Sequence, residues 1–406
     1  MMEIFREDWR ELLSKPQYEM GPWEKAVPLK ARDGTKLFVD VCRPKASGKF
    51  PALLSFSPYG REIQHLAPAP GRETDYTRGT GGIESGMSNY FVPRGYVHVH
   101  GDPRGIGCSE GEYTHFGEQE QQDGADMIEW IAAQPWCNGN VGMLGHSYFA
   151  KNQWLVASQQ PPHLKAIFVH EGYTDMYRHV AYHGGILNFG FYHHIWRLFP
   201  TSTTEPLSKK LFSPEEYRRK LEELREDKDI RNYVYLYKLA MNPEQNPLLL
   251  DLMLHPFDGP FYHERSATPD FDKIKIPVFM VSRWSGWTIH LPGIIEANAA
   301  LKVPHKLVVA ETPWEGGFGR PWFENHDLVL RWYDYWLKGV QNGVMDDPPV
   351  RIFVKGPNVW REEKEWPPAR AKCVKYYLRE HGGLSTQPPL PHGRPQRFRN
   401  DPWATE

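Results

Sequence analysis

The stretch Gly145-His146-Ser147-Tyr148-Phe149-Ala150 decides how this chain is expected to fold. It follows a short apolar run at 141–144 and leads into a helix-forming segment at 152–157. A serine placed where a buried strand turns into a helix is typical of a nucleophile elbow, in which the hydroxyl stands at the tip of the turn and the next backbone N–H faces an oxyanion. The pattern makes Ser147 the candidate nucleophile. Because Gly-x-Ser tripeptides are common by chance, the flanking sequence must support this interpretation.

Strand-like and helical segments alternate along most of the chain. Such alternation predicts an α/β protein with a mostly parallel sheet covered on both faces. Sites in these sheets lie at the carboxyl ends of the strands, where Tyr59, Ser147, Trp284 and Trp314 fall. This convergence predicts one shared pocket. A hairpin at 26–41 begins the sheet, and apolar runs predict further strands near 51–56, 96–101, 141–144, 165–169, 277–282 and 306–310.

Two further motifs precede the elbow and carry a family resemblance. Residues 104–111 read Arg-Gly-x-Gly-x-Ser-x-Gly, and residues 135–139, after a helical segment, read Pro-Trp-x-x-Gly. In this order and spacing, and followed by the Gly-x-Ser-Tyr of the elbow, they resemble the CocE/NonD group of serine hydrolases, kin of the X-Pro dipeptidyl peptidases. The resemblance covers about residues 25 to 380 and implies an α/β-hydrolase fold.

The resemblance also implies an oxyanion hole made of two donors. In relatives, a tyrosine hydroxyl from the loop after an early strand joins the N–H of the residue that follows the serine. Here the strand at 51–56 leads into a Pro-Tyr-Gly turn, so Tyr59 and the N–H of Tyr148 fit these roles. Two preset donors each lower an acyl-transfer barrier by about 3 kcal/mol. From the residues alone, a packed turn tyrosine would be the preferred interpretation of Tyr59.

The usual catalytic acid and histidine of these relatives do not appear at the corresponding positions. Relatives carry the acid in a Gly-Gly-Trp-Tyr-Asp type segment and the histidine in a Gly-Pro-Trp-x-His segment. Here Gly286 stands where the aspartate is expected, and Glu315 or Gly316 stands in place of the histidine. A neutral serine hydroxyl is a poor nucleophile that needs a base, and the base needs an orienting partner. The usual triad therefore cannot simply be carried over.

Three explanations of this departure stay open. In the first, His290 serves as the base, and Glu315 serves as an orienting carboxylate or, when buried, as a base itself. This explanation predicts a hydrolase that acts on an ester, amide or related acyl bond of a small molecule. In the second, Ser147 is a hydrogen-bond donor in a lyase or decarboxylase reaction. In the third, the chain is a ligand-binding homologue without catalysis.

An insertion between two core strands is expected to form a helical cap. Between 176 and 268 the strand pattern stops, and residues 214–226 read as an exposed amphipathic helix. Tyr192 and His193 belong to an aromatic segment of this insertion. The segment either roofs the pocket, and then contacts substrate, or packs the cap against the core.

Three further residues are candidate substrate contacts at the predicted pocket. Trp284 and Trp314 follow predicted strands and are expected to line it. His146 is expected to point away from Ser147, because successive residues diverge on a tight turn, and to serve as a wall or a core-facing residue. The spacing of the histidines does not match a closed metal site, so we expect neither a metal nor a cofactor.

Composition agrees with an enzyme-sized chain. The 406 residues carry a formal net charge of −2, with basic and acidic residues interspersed, which argues against a nucleic-acid partner. The apolar runs are shorter than the about 20 residues of a membrane helix, and the first residues lack the apolar core of a secretory signal. We therefore expect a soluble, cytoplasmic protein. The four cysteines have no paired spacing, so no disulfide framework is expected.

These patterns divide the chain into four regions. Residues 1–175 and 269–345 are expected to form the hydrolase core, and 176–268 the cap. The region 346–406 begins with strands near 348–356 and ends in a tail rich in Pro and Arg. In relatives a jelly-roll domain begins here, and only its first strands fit this region. Exposed strand edges need cover, so either a second subunit of a homo-oligomer covers them or they lie against the core.

Overall fold

A ten-stranded sheet runs through residues 20–363. The structure is a computed structural model that describes residues 9–65, 84–310, 321–379 and 382–389. It divides into two compact units, Met1–Lys364 and Glu365–Glu406. The central sheet belongs to the first unit.

The central sheet is mostly parallel, as the alternating pattern predicts. Its strand order is β1-β2-β4-β3-β5-β6-β9-β10-β11-β12. The pairs β1–β2, β2–β4 and β11–β12 are antiparallel, and the other neighbours are parallel. The strands are Met20–Lys30 (β1), Lys36–Pro44 (β2), Phe50–Phe56 (β3), Val97–Asp102 (β4), Cys137–Met143 (β5), Leu164–His170 (β6), Tyr182–His183 (β7), Ile186–Leu187 (β8), Val278–Arg283 (β9), His305–Ala310 (β10), Val350–Val354 (β11), Val359–Glu363 (β12), Tyr377–Leu378 (β13) and Leu384–Ser385 (β14).

Twelve α-helices accompany these strands in the described parts of the chain. None of them is both long and apolar enough to span a bilayer. They are Ser88–Phe91 (α1), Glu118–Ala132 (α2), Tyr148–Ser158 (α3), Phe189–Ile195 (α4), Ser208–Leu211 (α5), Pro214–Glu226 (α6), Lys228–Asn232 (α7), Val234–Met241 (α8), Pro247–Leu254 (α9), Pro260–His263 (α10), Leu291–Ala300 (α11) and Pro321–Lys338 (α12).

Helices pack closely against the central strands, and two glycines permit this approach. A Cβ at Gly142 of β5 would lie 2.5 Å from the ring of Tyr333 on α12. A Cβ at Gly101 of β4 would lie 2.6 Å from the sulfur of Met127 on α2. Tyr333 belongs to a buried core cluster that also includes Phe279 of β9. Fully burying one such large apolar side chain contributes roughly 1.5 to 3 kcal/mol.

The predicted elements correspond closely to the observed ones. The hairpin at 26–41 is β1–β2, and the six predicted strands correspond to β3, β4, β5, β6, β9 and β10. The predicted amphipathic helix is α6, whose N-terminus is capped by the Ser213 hydroxyl, which accepts a hydrogen bond from the N–H of Glu216. Between β6 and β9 the chain adds helices α4–α10 and the ladder β7–β8, and no strand of the central sheet. The role of this insertion as a cap stays a prediction.

The first strands after residue 346 pair with the core sheet. Strand β11 pairs in parallel with β10, with Leu307 opposite Val350, and β12 continues the sheet beyond it. Val350 and Ile352 are buried, which explains why this strand extends the core. Of the two arrangements expected for these strands, the structure contains the one in which they lie against the core. In the second unit, β13 and β14 form a separate two-stranded ladder.

Candidate active site

Ser147 lies in the sharp turn between β5 and α3. Its backbone has φ 59° and ψ −110°, a conformation that a non-glycine residue adopts only under strain. Gly145, two residues earlier, has φ 140°, and a Cβ there would lie 2.1 Å from Cβ of Phe149. A glycine is therefore needed at 145 for the turn to close. This is the elbow geometry that the sequence predicts.

Backbone hydrogen bonds hold the turn against the neighbouring segments. The N–H of Ser147 donates to the carbonyl of His170 at 3.1 Å, and the N–H of His146 donates to the carbonyl of Glu84 at 2.8 Å. His146 and His170 form an isolated parallel bridge beyond the ends of β5 and β6. The strained serine is thus fixed from both sides, while its side chain stays partly accessible.

Tyr59 lies where the predicted oxyanion donor is expected. It follows β3, is buried, and lies close enough to Ser147 for the two side chains to interact. Burial raises the pKa of Tyr59 well above its usual value, so the hydroxyl keeps its proton and can donate it in a hydrogen bond. The N–H of Tyr148, the first residue of α3, makes no hydrogen bond to another described residue. Both groups therefore fit donors to an oxyanion next to Ser147.

His146 belongs to an ionic cluster, defined here as Glu84, His146, Glu171 and Arg283, of which His146 and Glu171 are buried. Nε2 of His146 lies 2.6 Å from Oε2 of Glu171, and its Nδ1 lies 3.2 Å from Oε1 of Glu84. Arg283 binds both oxygens of Glu171, at 2.7 and 2.8 Å. His146 therefore faces the core and two carboxylates, which favours the core-facing alternative over contact with substrate.

The charges in the ionic cluster fix the protonation of its members. Burial opposes protonation of His146, but the charges and hydrogen bonds of Glu84 and Glu171 outweigh it and raise its pKa to about 9. Burial alone would raise the pKa of Glu171, but His146 and Arg283 hold it well below its usual value. When His146 is protonated, the positive charges of His146 and Arg283 balance the negative charges of the two glutamates in the cluster. A protonated imidazole cannot accept the serine proton.

His290 lies beside the ionic cluster, immediately before α11. Its ring centroid is 5.8 Å from that of His146 and 6.5 Å from that of Tyr173. Burial lowers the pKa of His290 to about 3, and the nearby charge of Glu171 offsets this only in part. The imidazole is therefore neutral at physiological pH. Among the described residues, no imidazole is hydrogen-bonded to the hydroxyl of Ser147.

Comparison with known proteins identifies the family of this chain. The sequence model of the X-Pro dipeptidyl-peptidase (S15 family) matches residues 33–315, more than half of the chain. The chain belongs to this family. The model of the X-Pro dipeptidyl-peptidase C-terminal non-catalytic domain matches residues 342–397.

Individual relatives include esterases and peptidases. Cocaine esterase from Rhodococcus sp. (strain MB1 Bresler) is 28% identical over 383 residues, which cover 89% of this chain and 62% of that protein. A putative Xaa-Pro dipeptidyl-peptidase from Bacillus anthracis is 26% identical, with 86% and 57% covered. The chain thus spans less than two thirds of the length of these relatives.

Solved structures support the same fold. A CocE/NonD family hydrolase from Staphylococcus aureus matches with a TM-score of 0.69 and 28% identity, covering 90% of this chain and 60% of that one. An α-amino acid ester hydrolase matches with a TM-score of 0.67 and 21% identity, covering 93% and 64%. The predicted resemblance to CocE/NonD hydrolases and the predicted α/β-hydrolase fold are confirmed.

The other predicted substrate contacts lie in different surroundings. Trp284 follows β9, and its indole N–H donates to the carbonyl of Phe353 on β11 at 2.6 Å. Tyr192 is fully buried, with its ring 6.0 Å from that of His115. His193 packs on Tyr235 of α8, with ring centroids 4.2 Å apart, so its closest ring contact is inside the insertion. Trp314 and Glu315 lie outside the described residues.

Phe199 of the insertion contacts the turn that carries Tyr59. Its ring lies 5.9 Å from that of Tyr59 and 5.8 Å from that of Tyr148. The next residue, Pro200, is so close to Gly60 that a Cβ there would lie 3.0 Å from its Cγ. Residues 199–200 therefore pack directly on the turn that carries Tyr59.

Sequence reasoning missed the two central members of the ionic cluster. Glu171 comes directly after β6, and Arg283 is the last residue of β9. Both stand at carboxyl ends of parallel strands, where sites of such sheets lie. The rule that selected Tyr59 and Trp284 from the sequence therefore also selects Glu171 and Arg283.

One group of potential metal ligands lies within the described residues. Donor atoms of His146, His170 and Glu171 all lie within 4.8 Å of one another. Both oxygens of Glu171 are already bound by Arg283, whose positive charge repels a metal ion at this place. The group formed by His146, His170 and Glu171 therefore does not fit a metal site.

Proposed function

We propose that this chain is a serine hydrolase that cleaves an ester or amide bond of a small molecule. The observation that carries the proposal is the strained Ser147 turn together with the buried Tyr59 hydroxyl, which interacts with the serine side chain. Membership of the X-Pro dipeptidyl-peptidase family and the similarity to cocaine esterase support this class of reaction.

In the proposed reaction, Oγ of Ser147 attacks the carbonyl carbon of the substrate while its proton passes to a base. The carbonyl oxygen becomes an oxyanion that accepts hydrogen bonds from the Tyr59 hydroxyl and the Tyr148 N–H. The intermediate then collapses, and the alcohol or amine leaves with the proton from the base. Water, activated by the same base, attacks the acyl-enzyme, releases the acid and restores the serine.

We assign the base to His290, with Glu315 as a second candidate for proton handling. The imidazole of His290 is neutral, as a base must be before it accepts a proton, but its pKa of about 3 makes it a weak base. Its ring lies 5.8 Å from that of His146, the residue that precedes Ser147. Trp284, Trp314, Tyr192 and His193 stay proposed substrate contacts.

The test is hydrolysis of two chromogenic substrates, p-nitrophenyl acetate and glycyl-prolyl-p-nitroanilide. We expect the wild-type protein to release the chromophore from at least one of them. Ser147→Ala should lower kcat on that substrate by at least about 1000-fold, as for other serine nucleophiles. Hydrolysis of the ester alone assigns an esterase, and hydrolysis of the anilide assigns a peptidase of the X-Pro type. Equal rates for wild type and Ser147→Ala would overturn the proposal.

The ligand-binding alternative also has an observation in its favour. Among the described residues, the serine hydroxyl has no imidazole partner, and His146 is held by two carboxylates. A folded protein without hydrolysis of either substrate would support this alternative. No observation favours the lyase or decarboxylase alternative over these two.

A further inference from the structure

We infer that Glu171 supplies the acid of this site from the end of β6, in place of an acid at position 286, and acts as a positioning residue for the elbow and for His290. The inference rests on the proposed function and deepens it. It explains how a chain with glycine at 286 still places a carboxylate on His146, the residue that precedes Ser147.

The first argument is the space around Gly286. A Cβ at this position would lie 2.9 Å from Oε1 of Glu171 and 3.4 Å from Oγ of Ser282. The Glu171 carboxylate thus occupies the space into which a side chain at 286 would project. An aspartate at 286 would clash with it and bring a second negative charge to the same place, which is unfavourable. An acid at 286 is therefore disfavoured while Glu171 holds this position.

The second argument is the topology of the sheet. Strand β6 lies between β5, which leads to Ser147, and β9, which leads to Gly286. The N–H of Glu171 donates to the carbonyl of Val281 on β9 at 2.9 Å. Glu171 also has φ 57°, a strained value for a glutamate. The strain and the backbone bond direct an acid from β6 toward the end of β9.

The third argument is what the carboxylate contacts. Glu171 binds Nε2 of His146, the residue before Ser147, at 2.6 Å, and it is within electrostatic reach of His290. The other charged groups facing His290 are His146 and Arg283, both positive. Glu171 is the negative group that offsets them. Without its charge, the ionic cluster would carry one uncompensated positive charge, which would oppose the proton transfer from Ser147 to His290.

The expected effect follows from this charge balance. As a general scale, a unit charge about 6 Å from a titrating group in a partly screened site changes a proton-transfer equilibrium by on the order of 100-fold. Glu171→Gln keeps the shape of the side chain and removes its charge. It should slow the reaction of Ser147 with a fluorophosphonate by about the same factor.

The experiment compares Glu171→Gln, Glu171→Gly, Gly286→Asp and the double variant Glu171→Gly/Gly286→Asp. The second-order rate of fluorophosphonate addition is followed by intact mass, and folding and Tm are followed by circular dichroism. The control is Asp334→Asn, because Asp334 is also fully buried, binds Tyr96 at 2.8 Å and Lys338 at 3.0 Å, and belongs to α12 rather than to the elbow.

If Glu171 positions the site, Glu171→Gln is folded and reacts slowly, whereas Asp334→Asn loses stability but reacts at a rate near that of the wild type. The double variant should react at least about 10-fold faster than Glu171→Gly, because it returns a carboxylate to the same space. The inference is overturned if folded Glu171→Gln reacts at the wild-type rate, or if Asp334→Asn slows as much. If Glu171→Gln does not fold, the double variant provides the test. A folded double variant that reacts with the fluorophosphonate no faster than Glu171→Gly overturns the inference. A folded wild type that does not react overturns the proposed function itself.

Discussion

Replacing Tyr59 by phenylalanine removes one hydroxyl from the site and leaves the ring in place. The ring packs on Tyr148 and Phe199, with centroids 5.9 Å away in both cases, and phenylalanine keeps these contacts. What the variant loses is the interaction of the hydroxyl with the Ser147 side chain and, in the proposed reaction, one of two donors to the oxyanion.

The two losses differ in size, and this difference makes the variant informative. A neutral intramolecular hydrogen bond contributes about 1 kcal/mol to folding stability, so Tm should change little. Removing one preset oxyanion donor costs about 3 kcal/mol of transition-state stabilisation, which lowers kcat by 100- to 1000-fold. KM should change much less, because the donor strengthens its contact as charge develops.

The assay is steady-state hydrolysis of the better chromogenic substrate, with Tm measured on the same samples. The matched control is Tyr262→Phe, because Tyr262 is fully buried and donates to the carbonyl of His255 at 2.6 Å within the insertion. We expect Tyr262→Phe to keep kcat within a few-fold of the wild type. A Tyr59→Phe protein with kcat within 10-fold of the wild type would refute the oxyanion role of Tyr59.

Three further predictions concern the elbow and its histidines. Gly145→Ala places a Cβ within 2.1 Å of Phe149 at a residue with φ 140°. Urea unfolding should therefore show that the free energy of unfolding falls by about 3 kcal/mol or more. A fall of less than about 1 kcal/mol contradicts the turn geometry. Because the pKa of His290 is about 3, the wild-type rate of fluorophosphonate addition should stay flat between about pH 5 and 8, and an inflection near pH 6.5 contradicts its buried, neutral state. The pKa of His146 is raised to about 9 in the folded protein, so its contribution to stability is complete below about pH 6.5 and is lost as pH rises through 9. Wild-type Tm should therefore fall more between pH 6 and about 9.5 than the Tm of His146→Asn, and equal falls contradict the ion pairing.

The sequence was sufficient for the sheet because the strands of a parallel sheet are buried on both faces. The runs at 51–56 and 277–282 are nearly continuous in apolar residues, and such runs are hard to mistake when helical segments separate them. The elbow was predicted from the Gly-x-Ser pattern only with the support of the flanking motifs, and the structure shows that Gly145 has the positive φ that favours glycine.

The ionic cluster could not be predicted from the sequence in the same way. Glu171 and Arg283 are 112 positions apart, and their contact arises only because β6 and β9 are neighbours in the sheet. The sequence did show that Gly286 replaces an expected acid. It did not show that the carboxylate of Glu171 fills the adjacent space, because that depends on the register between two strands. The sequence left two arrangements open for the strands after 346, because their pairing with β10 is also a long-range contact.

The most direct test of the central claim is intact-mass spectrometry of the folded wild-type protein and Ser147→Ala after treatment with a fluorophosphonate, followed by peptide mapping. An activated serine in the elbow predicts one adduct on the wild type, located on the peptide that contains Ser147, and none on Ser147→Ala. A folded wild type without an adduct, or an adduct on another residue that persists in Ser147→Ala, would contradict the claim.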